Sequence, residues 1–112
     1  YGVQNALLAA GYTADNMPVI TGQDCDKPNV KNIIAGIQSM SIFKDTHDLA
    51  DATVKMVDAI VKGTEPEIND TETYDNGTGI IPSYLCDPVF ADKDNYKELL
   101  IDSGYYTEAD LA

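Results

Sequence analysis

Two residues stand where an apolar run hands over to the next element, which is where a polar side chain can meet a ligand. Asp24 follows Pro18-Val19-Ile20-Thr21-Gly22, and Lys44 follows Ser41-Ile42-Phe43. In open α/β sheets, ligands bind outside the carboxyl ends of the strands. A carboxylate at position 24 can accept hydrogen bonds from two adjacent hydroxyls, and an ammonium at 44 can donate to a hydroxyl or ring oxygen. Position alone favours plainer roles, with Asp24 as a helix-capping acid and Lys44 as a solvated lysine. Asp26 suits the cap better still. Phe43 could offer a ring face to a ligand, although a phenylalanine beside a strand end is more often core.

The remaining chemistry-bearing residues have bland settings. His47, the sole histidine, reads as part of a helix start. No Gly-x-Ser-x-Gly marks a nucleophile. Asp92-Lys93-Asp94-Asn95 resembles the opening of a calcium loop but lacks the glycine and the distal glutamate, so it reads as capping. Gly77-Thr78-Gly79 is too short to cradle a phosphate. Asn69-Asp70-Thr71 and Asn76-Gly77-Thr78 are glycosylation sequons by pattern only. Cys25 and Cys86 are too few for a disulfide scaffold and lack zinc-finger spacing, and whether they pair is left open. No catalytic residue, metal site or cofactor is expected.

The elements that must position these residues follow from periodicity. Tyr1–Ala10 reads as a helix with Val3, Leu7 and Ala10 on one face, stopped by Gly11. Pro18–Gly22 reads as a buried strand. Pro28 suits the first turn of a helix whose stripe is Val30, Ile33, Ile34 and Ile37. Gln38–Phe43 alternates as a strand, and Thr46 or Asp48 caps a helix to Lys62, ended by Gly63. Leu49, Ala52, Met56, Ala59 and Ile60 are its expected inward face. Thr71–Asp75 and Gly79–Leu85 are weaker strand candidates around Asn76-Gly77. Asp94 caps a helix through Leu100 and Ile101, and Thr107 with Glu108 and Asp110 starts a last short one. The alternation of helix and strand in the first half is an α/β pattern. The chain opens at Tyr1 within a helical pattern, with no cap before it, which reads as a truncated start.

Composition narrows the function. The 112 residues suffice for one small domain. Nineteen acidic residues oppose seven lysines, with no arginine, for a net charge of -12. Such a surface repels nucleic acid and anionic membranes, and serves solubility. No apolar run approaches a membrane span, and the first residues carry no basic n-region of a signal peptide.

Longer motifs carry a resemblance. Val19-Ile20-Thr21-Gly22-Gln23-Asp24, then Ile34-Ala35-Gly36-Ile37-Gln38-Ser39-Met40-Ser41-Ile42-Phe43-Lys44, resembles the type I periplasmic binding proteins, in particular the xylose-binding and multiple-sugar-binding receptors of ABC transporters. Thr73-Tyr74-Asp75-Asn76-Gly77, Ile81-Pro82-Ser83-Tyr84-Leu85, Asp87-Pro88-Val89 and Asp94-Asn95-Tyr96-Lys97-Glu98-Leu99-Leu100 are similar to that group's C-terminal region. The resemblance implies two Rossmann-like α/β lobes with mostly parallel sheets, joined by crossovers, of which this chain is a C-terminal fragment. It assigns residues 1–43 to the C-terminal lobe, sends 44–80 into the N-terminal lobe, and returns 81–112. It makes Asp24 and Lys44 sugar ligands, reversing the position-only reading. The implied ligand is a monosaccharide such as xylose, glucose, galactose or arabinose. The implied partner is a membrane permease, and the implied place is the periplasm or the outer face of the cytoplasmic membrane, there as a lipoprotein, with a role in chemoreception. A sugar-sensing regulatory domain of the same fold is the alternative, and an enzyme of flavodoxin-like architecture is disfavoured. Because the helix at Asp48–Lys62 would lose its partner lobe, a homodimer exchanging a segment is expected.

Overall fold

The computed structural model describes residues 1–112 and divides into two compact units. The first comprises Tyr1–Phe43 with Val89–Ala112, and the second comprises Lys44–Pro88.

The first unit is built on a three-stranded sheet in the order β1 (Thr21–Gln23), β2 (Met40–Phe43), β3 (Val89–Asp92). β1 and β2 run parallel, with Gly22 opposite Ser41, and β3 adds antiparallel, with Ala91 opposite Ser41. The α/β expectation holds, and the sheet is mixed. Helix α2 (Lys27–Ile34) makes the crossover from β1 to β2, as parallel pairing requires. Its Val30 and Ile33 are buried as the periodicity predicts, and Ile34 packs against the core beside them. Cys25, Val30, Phe43, Ala91 and Leu100 form one apolar cluster, flanked by Tyr96, Leu99, Tyr105, Tyr106 and Leu111. Tyr105 meets the Phe43 ring edge-on at 4.8 Å between centroids, a favoured aromatic geometry.

Several local expectations need correction. The first apolar run enters the sheet only at Thr21, and Val19 is 83% exposed. Ile20 still exchanges bonds with Ser39, its amide donating to the Ser39 hydroxyl (3.1 Å) and its carbonyl accepting from the Ser39 amide (2.9 Å). Helix α1 (Gly2–Ala9) buries Gln4 rather than the predicted Val3, which is 63% exposed. Polar bonding decides this orientation. Asn32 Nδ2 donates to Gln4 Oε1 (2.7 Å), Gln4 Nε2 donates to Gln38 Oε1, and Gln38 Nε2 donates to the Met40 carbonyl (3.0 Å). A buried amide is tolerated when its polar atoms are satisfied, and this relay satisfies them. Asp26 occupies the N-cap position of α2, but its side chain makes no cap bond. β3 escaped sequence reading. The predicted helix after Asp94 is a π-helical segment at Lys97–Asp102, preceded by a turn that Asp92 organises by accepting from the amides of Asp94 (2.9 Å) and Asn95 (3.1 Å). Helix α4 (Glu108–Leu111) has the expected start, a reciprocal capping box between Thr107 and Asp110.

The second unit holds α3 (Thr46–Lys62) and an irregular return segment. Its cap is Asp45, not Thr46 or Asp48. The Asp45 carboxylate accepts from the His47 amide at 2.8 Å. Gly63 closes the helix at φ 70°, a left-handed conformation that glycine adopts without a Cβ penalty. No α3 side chain is buried. Ala52, Met56 and Ala59 are half-buried, while Leu49 and Ile60, also expected inside, are exposed. The two strand candidates reduce to isolated bridges, Asp70 with Ser83 and Asp75 with Ile80. The Asn69 amide holds the segment instead, donating to the Leu85 carbonyl (3.0 Å) and accepting from its amide (2.7 Å).

Candidate functional site

The carboxyl edge of the sheet is the place where sequence and structure converge. Asp24 follows the last residue of β1 and Lys44 follows the last residue of β2, and the two strands are parallel neighbours. Both are exposed. The Asp24 backbone continues the ladder, its amide donating to the Ile42 carbonyl at 2.7 Å.

The chain then does something costly. Asp24 has φ 77° and Cys25 has φ 50°, two successive non-glycine residues in the left-handed region. Aspartate tolerates that region better than most residues, but cysteine has no such dispensation. Conformations of this kind cost roughly 1–3 kcal/mol each and persist only where the surroundings fix them. The surroundings here are specific. The Cys25 amide donates to the Ser41 hydroxyl (3.2 Å), and the Cys25 thiol lies 3.7 Å from the Ser41 carbonyl. The Cys25 carbonyl accepts from the Tyr106 hydroxyl at 3.1 Å. The Cys25 side chain is fully buried in the core. The turn is thus held by a β2 serine, a C-terminal tyrosine and an anchored side chain.

Electrostatics follow the same pattern. Burial pushes the Cys25 thiol above its ordinary value, outweighing the Ser41 hydrogen bond, and the charges of Asp24 and Asp26 push it further. A protonated, buried thiol is a poor nucleophile. Burial also raises the Tyr106 phenol, aided by Tyr105 and Asp26, so it stays protonated and able to donate.

Gly22 has a separate role. A Cβ there would lie 2.7 Å from Gln38 Nε2, inside the amide relay. The sequence pattern ends its strand at Gly22, whereas the structure continues β1 to Gln23 and puts Gly22 at its centre, where a neighbouring amide needs the space.

Sequence reasoning thus named Asp24 and missed what holds it. Ser41 looked like the polar half of an alternating strand, and Tyr106 lies 81 residues from the carbonyl it bonds. No local signal announces either. His47 sits in the first turn of α3, with Nδ1 3.1 Å from Asp45 Oδ1, in keeping with a helix-start role. Cys86 lines a shallow cavity of about 670 Å³ in the second unit, together with Asp51, Lys55, Glu67 and Tyr84. Lys55 there is paired with Asp51 at 2.6 Å. Both cysteines are free thiols.

The family described as "Periplasmic binding protein domain" matches residues 1–65, from α1 through α3. The chain belongs to the periplasmic binding protein family. The multiple sugar-binding periplasmic receptor ChvE of Rhizobium radiobacter is 50% identical over 107 residues, which is 94% of this chain and 30% of that receptor. The D-xylose-binding periplasmic protein of Escherichia coli is 33% identical over 110 residues, 98% of this chain and 32% of the relative. Among solved structures, an ABC transporter solute-binding protein from Clostridium phytofermentans with bound β-D-glucose superposes with a TM-score of 0.92 at 66% identity. That match covers 99% of this chain and 34% of the neighbour. The chain therefore spans about a third of the length of the curated relatives it matches. The fold is that of a periplasmic binding protein over this span, with its three-stranded mixed sheet. No helix is long and apolar enough to cross a membrane.

Proposed function

We propose that this chain contributes one wall of the ligand cleft of a monosaccharide receptor that delivers its sugar to an ABC transporter. The carrying observation is the Asp24 turn, an exposed carboxylate at the carboxyl edge of a parallel strand pair, held in a strained conformation by three separate contacts. Strain maintained at an exposed acid, by residues whose bonds serve the turn, suits a ligand clamp better than a helix cap. Indeed the α2 N-cap position belongs to Asp26. In this reading Asp24 accepts from two sugar hydroxyls and Lys44 donates to a hydroxyl or ring oxygen. The relatives bind sugars as receptors, which supports binding over catalysis. Glucose is the first sugar to test, and xylose the second. The reading places the protein in the periplasm, or on the outer face of the cytoplasmic membrane as a lipoprotein, facing a permease. It also assigns residues 44–80 to the receptor's N-terminal lobe and residues 81–112 to its C-terminal lobe.

The test is calorimetric titration of the full-length gene product with D-glucose, comparing wild type with Asp24→Asn. Asparagine also tolerates the left-handed region, so the turn survives and only the charge is lost. Asp24→Ala adds backbone strain and should be worse. A charged acceptor is worth roughly 1.5–3 kcal/mol per hydrogen bond, so the dissociation constant should rise at least about tenfold. An unchanged constant would make Asp24 a structural residue only.

A further inference from the structure

The cleft-forming edge is held from beneath by a residue far away in the chain. Tyr106 follows the π-helical segment, and its own amide donates to the Leu100 carbonyl at 2.7 Å, which ties it to a fully buried leucine. Its ring packs at 5.0 Å against Tyr105, which meets Phe43 at the end of β2. Its hydroxyl donates to the Cys25 carbonyl at 3.1 Å. That carbonyl belongs to the peptide immediately after the Asp24–Cys25 bond, within the left-handed pair. From the other side, the Ser41 hydroxyl accepts from the Cys25 amide at 3.2 Å. Both backbone polar groups of Cys25 are therefore spoken for by side chains.

We propose that Tyr106 is a positioning residue for sugar binding, acting through the Cys25 carbonyl to fix the direction of the Asp24 carboxylate. The proposal rests on the reading of Asp24 as a sugar ligand. A purely structural role, docking of the C-terminal tail, is the competing account, because Tyr106 also lies under Lys27 Nζ at 5.5 Å from the ring centroid. The two accounts differ in whether the loss depends on Asp24.

A double-mutant cycle in the full-length gene product decides between them, with D-glucose as titrant and calorimetric Kd as the readout. Tyr106→Phe removes the hydroxyl and keeps the ring, so core packing and the ring–lysine contact remain. With Asp24 present, Tyr106→Phe should raise Kd by about fivefold, the value of one hydrogen bond. In an Asp24→Asn background the same change should alter Kd less than about twofold. An equal loss in both backgrounds, or no loss beside Asp24, overturns the positioning role. If Asp24→Asn alone leaves Kd unchanged, the ligand reading itself fails and the positioning role with it. Thermal melting of all four proteins guards against global unfolding. Should Tyr106→Phe melt too early to titrate, Ser41→Ala replaces it and must show the same dependence on Asp24.

Discussion

The two units of this chain treat their apolar side chains in opposite ways. In residues 1–43 with 89–112, Val30, Ile33, Phe43, Ala91 and Leu100 are essentially sealed from water, and buried Gln4, Gln38 and Ser41 find hydrogen-bond partners. In residues 44–88 no side chain reaches that state, and Leu49, Val54, Val57, Ile60 and Val61 on α3 stand exposed. Helix α3 nevertheless has the better local design. It has a carboxylate cap, a left-handed glycine stop and two carboxylate–lysine pairs one turn apart, Asp51–Lys55 and Asp58–Lys62. Each such pair contributes only a few tenths of a kcal/mol. Local signals thus write a helix without supplying a core for it, and an amphipathic helix draws most of its stability from tertiary packing.

The largest expected effect tests that contrast directly. Ile33→Ala or Leu100→Ala should destabilise the chain by about 2–5 kcal/mol, because each removes a fully buried side chain. Val54→Ala or Val61→Ala should change stability by less than about 0.5 kcal/mol, since water already reaches both. Denaturant titrations of the four variants give the comparison. Similar costs in both units would mean that α3 is buried in solution after all.

Next in size is self-association. Covering an exposed Leu, Ile or Val is worth roughly 1.5–3 kcal/mol per side chain. The 112-residue chain alone should therefore sediment as a dimer or larger species at micromolar concentration, and Ile60→Asp with Val57→Asp should return it to monomer. A monomer at all accessible concentrations would sink the expectation of segment exchange.

The same contrast explains what the sequence made legible. The periodicity of α2 and α3, the Pro28 start, the Gly63 stop and the Thr107 capping box are all local signals, and each has its element. Asp24 stood out by its place after an apolar run, although position alone favoured a helix cap and only the family resemblance made it a sugar ligand. What escaped depends on partners distant in sequence. The face of α1 is set by the Asn32–Gln4–Gln38 relay, which outranks Val3 and Ala10. β3 is a strand because β2 has a free edge for Val89–Asp92. The Thr71–Asp75 and Gly79–Leu85 candidates had strand-like composition but no sheet to join, and isolated hairpins are marginal in water.

A third prediction sharpens the account of polar burial in the first unit. Gly22→Ala drives a methyl to 2.7 Å from Gln38 Nε2 and should break the relay to Gln4 and the Met40 carbonyl. Leaving one such buried amide unpaired costs about 1–3 kcal/mol. In a Gln38→Ala background the methyl has room, so Gly22→Ala should cost much less there. Equal costs in the two backgrounds would place the clash elsewhere.

The smallest effect separates the units by pH. In the first unit, Asp110 accepts from Lys27 Nζ at 2.5 Å and from Thr107, and these bonds hold its carboxyl well below the usual carboxylate range. In the second, Asp70 is also lowered, chiefly by the Glu72 amide and then by Thr73, against some desolvation. A depressed folded value means that the unfolded chain binds the proton more readily. The stabilisation is therefore full above the ordinary carboxylate value of 3.8 and is lost as pH falls from there through the folded value. The consequences differ in reach. Protonating Asp110 weakens a link between residues 83 apart and should loosen α4 from α2, whereas protonating Asp70 relaxes a turn of its own neighbours. Both sites are solvent-exposed enough for screening to keep the effects small. The difference in Tm between wild type and Asp110→Asn should be largest near neutrality and shrink steadily as pH falls below 3.8 toward 2. Asp70→Asn should shift Tm less at every pH. If the Asp110→Asn difference stayed constant from pH 7 to pH 2, the Lys27 contact would owe nothing to charge, and the tail would be held by the packing of Tyr106 and Leu111 and by the Tyr106 hydroxyl bond to the Cys25 carbonyl.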